Sequence, residues 1–347
     1  MKIPFPSEAR KEYFRLLDEI FDSNFWSEGN MVRRFEEEFS KYTNLHARTI
    51  SNGGAGLLAI LNYIDVRNAE VIVPTNTFWA STRAIQMAGG IPIFSDISRE
   101  DLCITAENIL NNITSRTKAV LVVHIAGHIA FDIDAIVTLC QDKNIVLIED
   151  CAHAHGASFK GRVAGQFGLA GAYSFYATKS LPLGEGGMVV SSDENFIKWV
   201  EKYRNYGKAI KKEQVTYPML DGFNFRINEF TAALGLVQLK RFPQILDWKR
   251  SLAIKYDQIF NRHITFPKQM LSGFYKYVVW DYPDIIEKTG QVFGPNDLNH
   301  KIANAKKSFP NAEWVTKHHQ CLPIYNGWDH AHKSVEELAS YLIPNNS

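Results

Sequence analysis

Short apolar runs alternate with amphipathic stretches through the first half of the chain. The runs at 70–74 (EVIVP), 91–97 (IPIFSDI), 116–127 (RTKAVLVVHIAG) and 145–150 (IVLIED) lack the in–out alternation of a half-solvated sheet. They read as strands covered on both faces, which is the pattern of a mostly parallel sheet. The intervening segments repeat apolar residues every three or four positions. Behind a capping Ser7, residues Phe14, Leu17, Ile20 and Phe21 define a first helix over 7–26, and a second follows over 31–44. The stretch 47–64 (ARTISNGGAGLLAILNYI) reads as strand, glycine turn and helix, and helices are expected over 77–90 and 132–144. GAYSFYA and GGMVVSS supply two further strands joined by a loop.

Past residue 190 the period becomes helical, over 194–207 and again over a long stretch from 227 to 260, with a kink expected near Pro243. A strand at YKYVVWDYP and a closing helix at SVEELASYLI complete the chain. The alternation predicts an α/β protein. Residues 1–245 form a large domain with a mostly parallel sheet, and 246–347 a small α+β domain. In such sheets ligands collect beyond the carboxyl ends of the strands. That rule selects residues 52–56, 74–78, 150 onward and 174–179.

Charge narrows the partners. Lys and Arg number 38 against 37 Asp and Glu. This balance lacks a nucleic-acid footprint or a polybasic membrane patch. No apolar stretch reaches transmembrane length, and the first residues carry no secretory apolar core. Four cysteines (Cys103, Cys140, Cys151, Cys321) are scattered without a C-x-x-C pair, as in a reducing compartment. A cytoplasmic enzyme is expected.

Each selected segment has a bland reading and a chemical one. NGGAG (52–56) is either a tight turn or a helix start whose free N–H groups hold a phosphate. Phe78 and Trp79 are either core or a ring that stacks on a flat ligand. Asp150 is either a cap or a buried anion for a cationic ring nitrogen. Cys151, His153 and His155 could ligate a metal, but zinc sites draw on spaced pairs and no second cluster accompanies them, so no metal is expected. Lys179 lies in SFYATKSLPLGEGGM, where a desolvated amine becomes a carbonyl nucleophile, and Ser174 precedes it by five residues. One ligand unites these fragments: a flat, cationic, phosphorylated aromatic aldehyde. That describes pyridoxal phosphate.

Four ordered segments resemble the sugar aminotransferases of the DegT/DnrJ/EryC1/StrS family: EVIVPTNTFWASTRAIQMAGGIPIFSDI, VHIAGHIAFDIDAI, IEDCAHAHGASFKGRVAGQFGLAGAYSFYATKSLPLGEGGMVV and GFNFRINEFTAALGLVQLKR. The likeness covers most of residues 1–250 and recurs faintly at CLPIY. It implies the aspartate aminotransferase-like fold, fold type I of the pyridoxal-phosphate-dependent transferases, and a homodimer with shared sites. By this resemblance Lys179 matches the lysine that bonds the cofactor, and Asp150 the partner of its ring nitrogen. His153 stands where the family often has Gln beside the ring hydroxyl. Phe78 matches the stacking aromatic, Gly53, Gly54 and Ala55 the phosphate loop, and Ser174 the phosphate-binding serine. Asn224 matches an asparagine that reaches the phosphate of the neighbouring subunit, and Arg226 in the same motif is a candidate for substrate contact. The implied donor is glutamate and the acceptor a keto sugar, nucleotide-linked. A cyclitol or other keto substrate, or cofactor binding without turnover, are the alternatives. Gly54 replaces the family's usual Thr and Ser180 its usual Asn, and the usual histidine-containing substrate loop is not evident near GQVFGPNDLNH.

Overall fold

The computed structural model describes residues 5–211, 214–219, 221–282 and 290–324. The closing helix expected at SVEELASYLI lies outside the described residues. Two helices open the chain, α1 (Ser7–Ser23) and α2 (Asn30–Thr43). The alternating region follows as β1 (His46–Ile50), α3 (Gly53–Tyr63), β2 (Glu70–Pro74), α4 (Trp79–Met87), β3 (Ile91–Ser95), α5 (Ala106–Leu110), β4 (Thr117–Val123), α6 (Ile133–Asp142) and β5 (Val146–Asp150). A small hairpin, β6 (Ser158–Phe159) and β7 (Arg162–Val163), precedes β8 (Ala170–Ser174), β9 (Gly187–Ser191) and α7 (Glu194–Tyr203). A second hairpin, β10 (Ala209–Lys211) and β11 (Gln214–Thr216), leads to the long α8 (Glu229–Ile259). The chain continues through β12 (Met270–Leu271), β13 (Tyr277–Trp280), α9 (Asn299–Ile302), α10 (Pro310–His318) and β14 (His319–Leu322).

The central sheet has seven strands in the order β1-β9-β8-β5-β4-β2-β3. β2, β3, β4, β5 and β8 are mutually parallel, and β9 alone runs antiparallel to its neighbours β8 and β1. The α/β architecture is thus the one the apolar runs indicate. Their lack of alternation has a direct cause, since β2, β8 and β9 are buried at every position. The helix over 227–260 runs uninterrupted through Pro243, with its first turn capped by the Asn228 side chain on the Thr231 N–H. Two short elements lack a legible pattern: α5, and the pairing of β12 with β6. Two- and three-residue strands carry no period to read.

α8 crosses from the large sheet region into the C-terminal part. Its residues Leu252, Ala253 and Tyr256 pack with Phe260, Tyr277, Val279 and Leu322 in a second, smaller core. β13 and β14 pair antiparallel beneath it. The segment 291–302 then returns to the large sheet. The Asn299 N–H donates to the Thr75 carbonyl at 2.7 Å, and the His300 Nδ1 meets the Thr75 hydroxyl at 2.6 Å. No helix among the described residues is long and apolar enough to cross a membrane.

Candidate active site

The strands β1, β2, β5 and β8 point their carboxyl ends into one cavity of about 690 Å³. At the end of β1, Asn52 caps α3 by accepting the Ala55 N–H at 2.9 Å. This leaves Gly53 and Gly54 facing the cavity, while the Ala55 amide is taken by the cap. Gly53 lets the two segments approach closely, because a Cβ there would lie a tight 3.0 Å from the Ser174 Cβ. The first turn of α3 and the end of β8 therefore form one cradle, with open N–H groups beside a hydroxyl, which suits an anion.

At the start of α4, Phe78 is 78% exposed within the cavity wall. A large aromatic left open in this way is not a core residue. Three residues on, Ser81 donates to the Asp150 Oδ2 at 2.9 Å, and the other carboxylate oxygen accepts the Ala152 N–H at 3.0 Å. Burial raises the Asp150 pKa, opposed by those two hydrogen bonds and by the charge of Lys179. Lys179 sits in the tight turn after Tyr176, whose carbonyl accepts its N–H. Burial lowers its amine to about 8; Asp150 works against that shift and the Lys276 ammonium adds to it. Its Nζ lies 4.9 Å from the centre of the Tyr275 ring.

His153 stacks on the same Tyr275 ring, with centroids 4.0 Å apart and planes at 22°. Burial, then the charges of Lys179 and Lys276, hold its pKa well below the ordinary value, so the imidazole is neutral. Its Nδ1 is buried with no hydrogen-bond partner. A buried polar atom in that state at a cavity wall calls for a ligand atom.

The other candidates at 149–155 are structural. The buried Glu149 accepts from the Gly165, Phe167 and Gly168 N–H groups and pairs with His124 at 3.0 Å. His124 accepts the Ala130 N–H on Nδ1, so Nε2 carries the proton that Glu149 receives. His155 packs among Tyr173, Phe175 and Phe242. Among the described residues, Cys151 groups with His124 and Glu149 rather than with His153 and His155. Its thiol is pushed up by burial.

The fold thus brings Gly53, Gly54, Phe78, Asp150, His153, Ser174 and Lys179 around one cavity. Within a single chain it does not bring Asn224 or Arg226 there. Asn224 is exposed and bridges to Asn205. Arg226 donates to the Asn205 Oδ1 at 2.6 Å and lies 3.8 Å from Glu28. Sequence reasoning missed Ser81, Tyr275, Lys276 and the wall from Gln291 to Asp297. Ser81 follows Phe78 by one helical turn and was open to discovery. Tyr275 and the later wall are about a hundred residues from Lys179, and no spacing rule links them.

Comparison with known proteins agrees with this geometry. Residues 7–290 match the DegT/DnrJ/EryC1/StrS aminotransferase family. The chain belongs to that family. A protein from Escherichia coli O157:H7 named GDP-perosamine synthase is 35% identical over 277 residues, 79% of this chain and 74% of that one. A GDP-perosamine synthase from Vibrio cholerae is 36% identical over 245 residues, covering 70% and 66% of the two chains. The crystal structure of the aminotransferase TlmJ from Streptoalloteichus hindustanus superposes with a TM-score of 0.86 at 26% identity, over 95% of this chain and 94% of that one. The sheet described above is therefore fold type I, and the chain is an aminotransferase.

Proposed function

We propose that the protein is a pyridoxal-phosphate-dependent sugar aminotransferase that moves an amino group from glutamate to a keto sugar carried on a nucleotide. The observation that carries this reading is the Lys179 amine, buried beside the Asp150 carboxylate at the strand ends and lowered to about 8. The residues present fit the cofactor. The orphaned His153 Nδ1 awaits a partner, the Gly53–Ser174 cradle suits a phosphate, and the exposed Phe78 offers a ring face. When bound, pyridoxal phosphate supplies a carbonyl for the amine and a ring that accepts electrons.

In this reading Lys179 bonds the cofactor and, once displaced by the donor, its Nζ carries a proton on and off the carbon that bears the nitrogen. Its lowered pKa leaves about a tenth of the amine neutral at pH 7, against well under a thousandth at the ordinary 10.5. Asp150 stays ionised opposite the ring nitrogen and holds a proton there, and the buried setting strengthens that attraction. His153 hydrogen-bonds the ring hydroxyl as a neutral imidazole. Gly53, Gly54 and Ser174 hold the phosphate, with the Gly53 and Gly54 N–H groups replacing the hydroxyl that a Thr at Gly54 would add, while the Ala55 N–H expected there is taken by the Asn52 cap. Asn224 is exposed and Arg226 half-buried, both outside the cavity of their own chain, so their roles require a homodimer in which each reaches the partner's cavity.

Two relatives are named for making GDP-perosamine, so a GDP-linked keto sugar is the first acceptor to test. All four cysteines are free and buried, and a cytoplasmic setting is proposed with them. The test is product analysis: the holoenzyme with glutamate and a GDP-linked keto 6-deoxy sugar should form the amino sugar nucleotide. Loss of amination with GDP-linked, TDP-linked and UDP-linked keto sugars alike, while a free keto cyclitol is aminated, overturns the nucleotide-sugar reading.

A further inference from the structure

Lys249 lies in the middle of α8 and is 2% exposed. A buried ammonium is costly unless its protons are matched. Here all three are matched, and all by uncharged oxygens. The Nζ donates to the Phe274 carbonyl at 3.1 Å and to the Ser180 hydroxyl and the Ile324 carbonyl at 3.4 Å each. No carboxylate is among its partners in the described residues, so the group is not there as half of an ion pair. A methionine or leucine would fill the same space without the desolvation cost.

The three acceptors come from three separate segments. Ser180 follows Lys179 directly, and Phe274 precedes Tyr275. Ile324 follows β14 in the small core. We propose that Lys249 is a positioning residue that fixes the Lys179 turn and the Tyr275 loop against each other from beneath the cavity. The neighbouring Arg250 extends the same anchorage. Its guanidinium donates to the Ser272 carbonyl at 3.2 Å and to the Gly156 carbonyl at 2.9 Å, tying the His153 segment to the Tyr275 loop. One helix turn therefore holds three segments that meet at the Tyr275 ring. This also gives Ser180 a function: it is 1% exposed and its hydroxyl accepts from the Lys249 ammonium.

The inference rests on Lys179 being the cofactor-bonding residue, yet its test needs neither cofactor nor turnover. The full chain without cofactor is labelled competitively with acetic anhydride across pH, and the Lys179 peptide is quantified by mass spectrometry. In the parent protein Lys179 should titrate near 8. In Lys249→Met the turn loosens toward solvent and the Lys179 pKa rises, so labelling at pH 8, taken relative to its own high-pH plateau, should fall at least threefold. The ceiling, reached if Lys179 returns to 10.5, is about 150-fold. Ser180→Ala should shift the curve in the same direction by less. Leu252→Ala, which truncates another buried residue of α8, controls for general destabilisation and should leave the Lys179 curve in place. A folded Lys249→Met protein with the parent titration curve overturns the proposal, as does an equal shift in Leu252→Ala. If Lys249→Met does not fold, an unchanged curve in Ser180→Ala overturns it. None of these results bears on whether the holoenzyme transaminates.

Discussion

Replacing Asn299 with Ala should unlatch one wall of the cavity from another. Asn299 is fully buried in α9, on the segment that returns from the small core. Its Oδ1 accepts the Thr82 hydroxyl and its Nδ2 donates to the Thr77 carbonyl, each at 2.5 Å. Thr77 and Thr82 bracket Phe78 and Ser81, so this one amide links the 291–302 wall to the turn that faces the cavity. Truncation leaves a hydroxyl and a carbonyl buried and unpaired, at about 1–3 kcal/mol each. Water entering the vacated space recovers part of that, which sets the expected loss near 3 kcal/mol. Asn299→Asp keeps the acceptor for Thr82 but turns a carboxylate oxygen toward the Thr77 carbonyl, and should cost at least as much. Urea unfolding of the cofactor-free chain measures both losses. Fluorescence titration with pyridoxal phosphate should show weaker binding for both variants, because the Phe78–Ser81 turn is no longer held. A loss below about 1 kcal/mol with unchanged cofactor affinity would refute the latch.

Three further outcomes follow from the same geometry. Burial lowers Lys249 to about 7 and Lys179 to about 8. Between these values and 10.5 the unfolded chain holds protons that the folded one lacks, so stability falls as pH drops from 10.5 toward the folded values and levels off below them. Cofactor-free protein should gain about 2 kcal/mol from Lys249 alone between pH 7 and 9, and that part of the slope should vanish in Lys249→Met when unfolding is followed at several pH values. Asp150→Asn should still bind the cofactor but slow its glutamate half-reaction by about a hundredfold in stopped-flow absorbance, since a neutral amide cannot hold the ring-nitrogen proton. Glu149→Gln should cost about 2–4 kcal/mol in thermal unfolding, because the amide NH₂ faces N–H donors that the carboxylate now accepts. Its glutamate half-reaction at a temperature where it is folded should be close to the parent rate.

The fold was legible because its signal is long-range redundancy of a simple kind. Largely apolar runs such as EVIVP and IVLIED, too short for helices, read as strands covered on both faces, and the amphipathic stretches between them do the covering. The residues at their carboxyl ends follow from the same reasoning, and Asp150, Ser174 and Lys179 indeed face one cavity. What the pattern could not convey is whatever depends on segments distant in sequence meeting in space. Tyr275 stacks on His153, Asn299 binds Thr77, and Lys249 reaches Ser180, all pairs far apart in the sequence. Nothing in local period or spacing encodes those pairings. Charged or polar residues inside apolar periods, such as Lys249 within the α8 pattern, are the one trace they leave.

The central claim is that Lys179 and Asp150 serve transamination from glutamate. Cofactor-loaded protein mixed with glutamate alone should release 2-oxoglutarate in proportion to the chains present and then stop, since no acceptor is there to complete the cycle. Lys179→Ala, loaded with cofactor to the same extent, should release none on that timescale. A loaded parent protein that releases no 2-oxoglutarate, or a Lys179→Ala protein that releases it at the parent rate, would contradict the account.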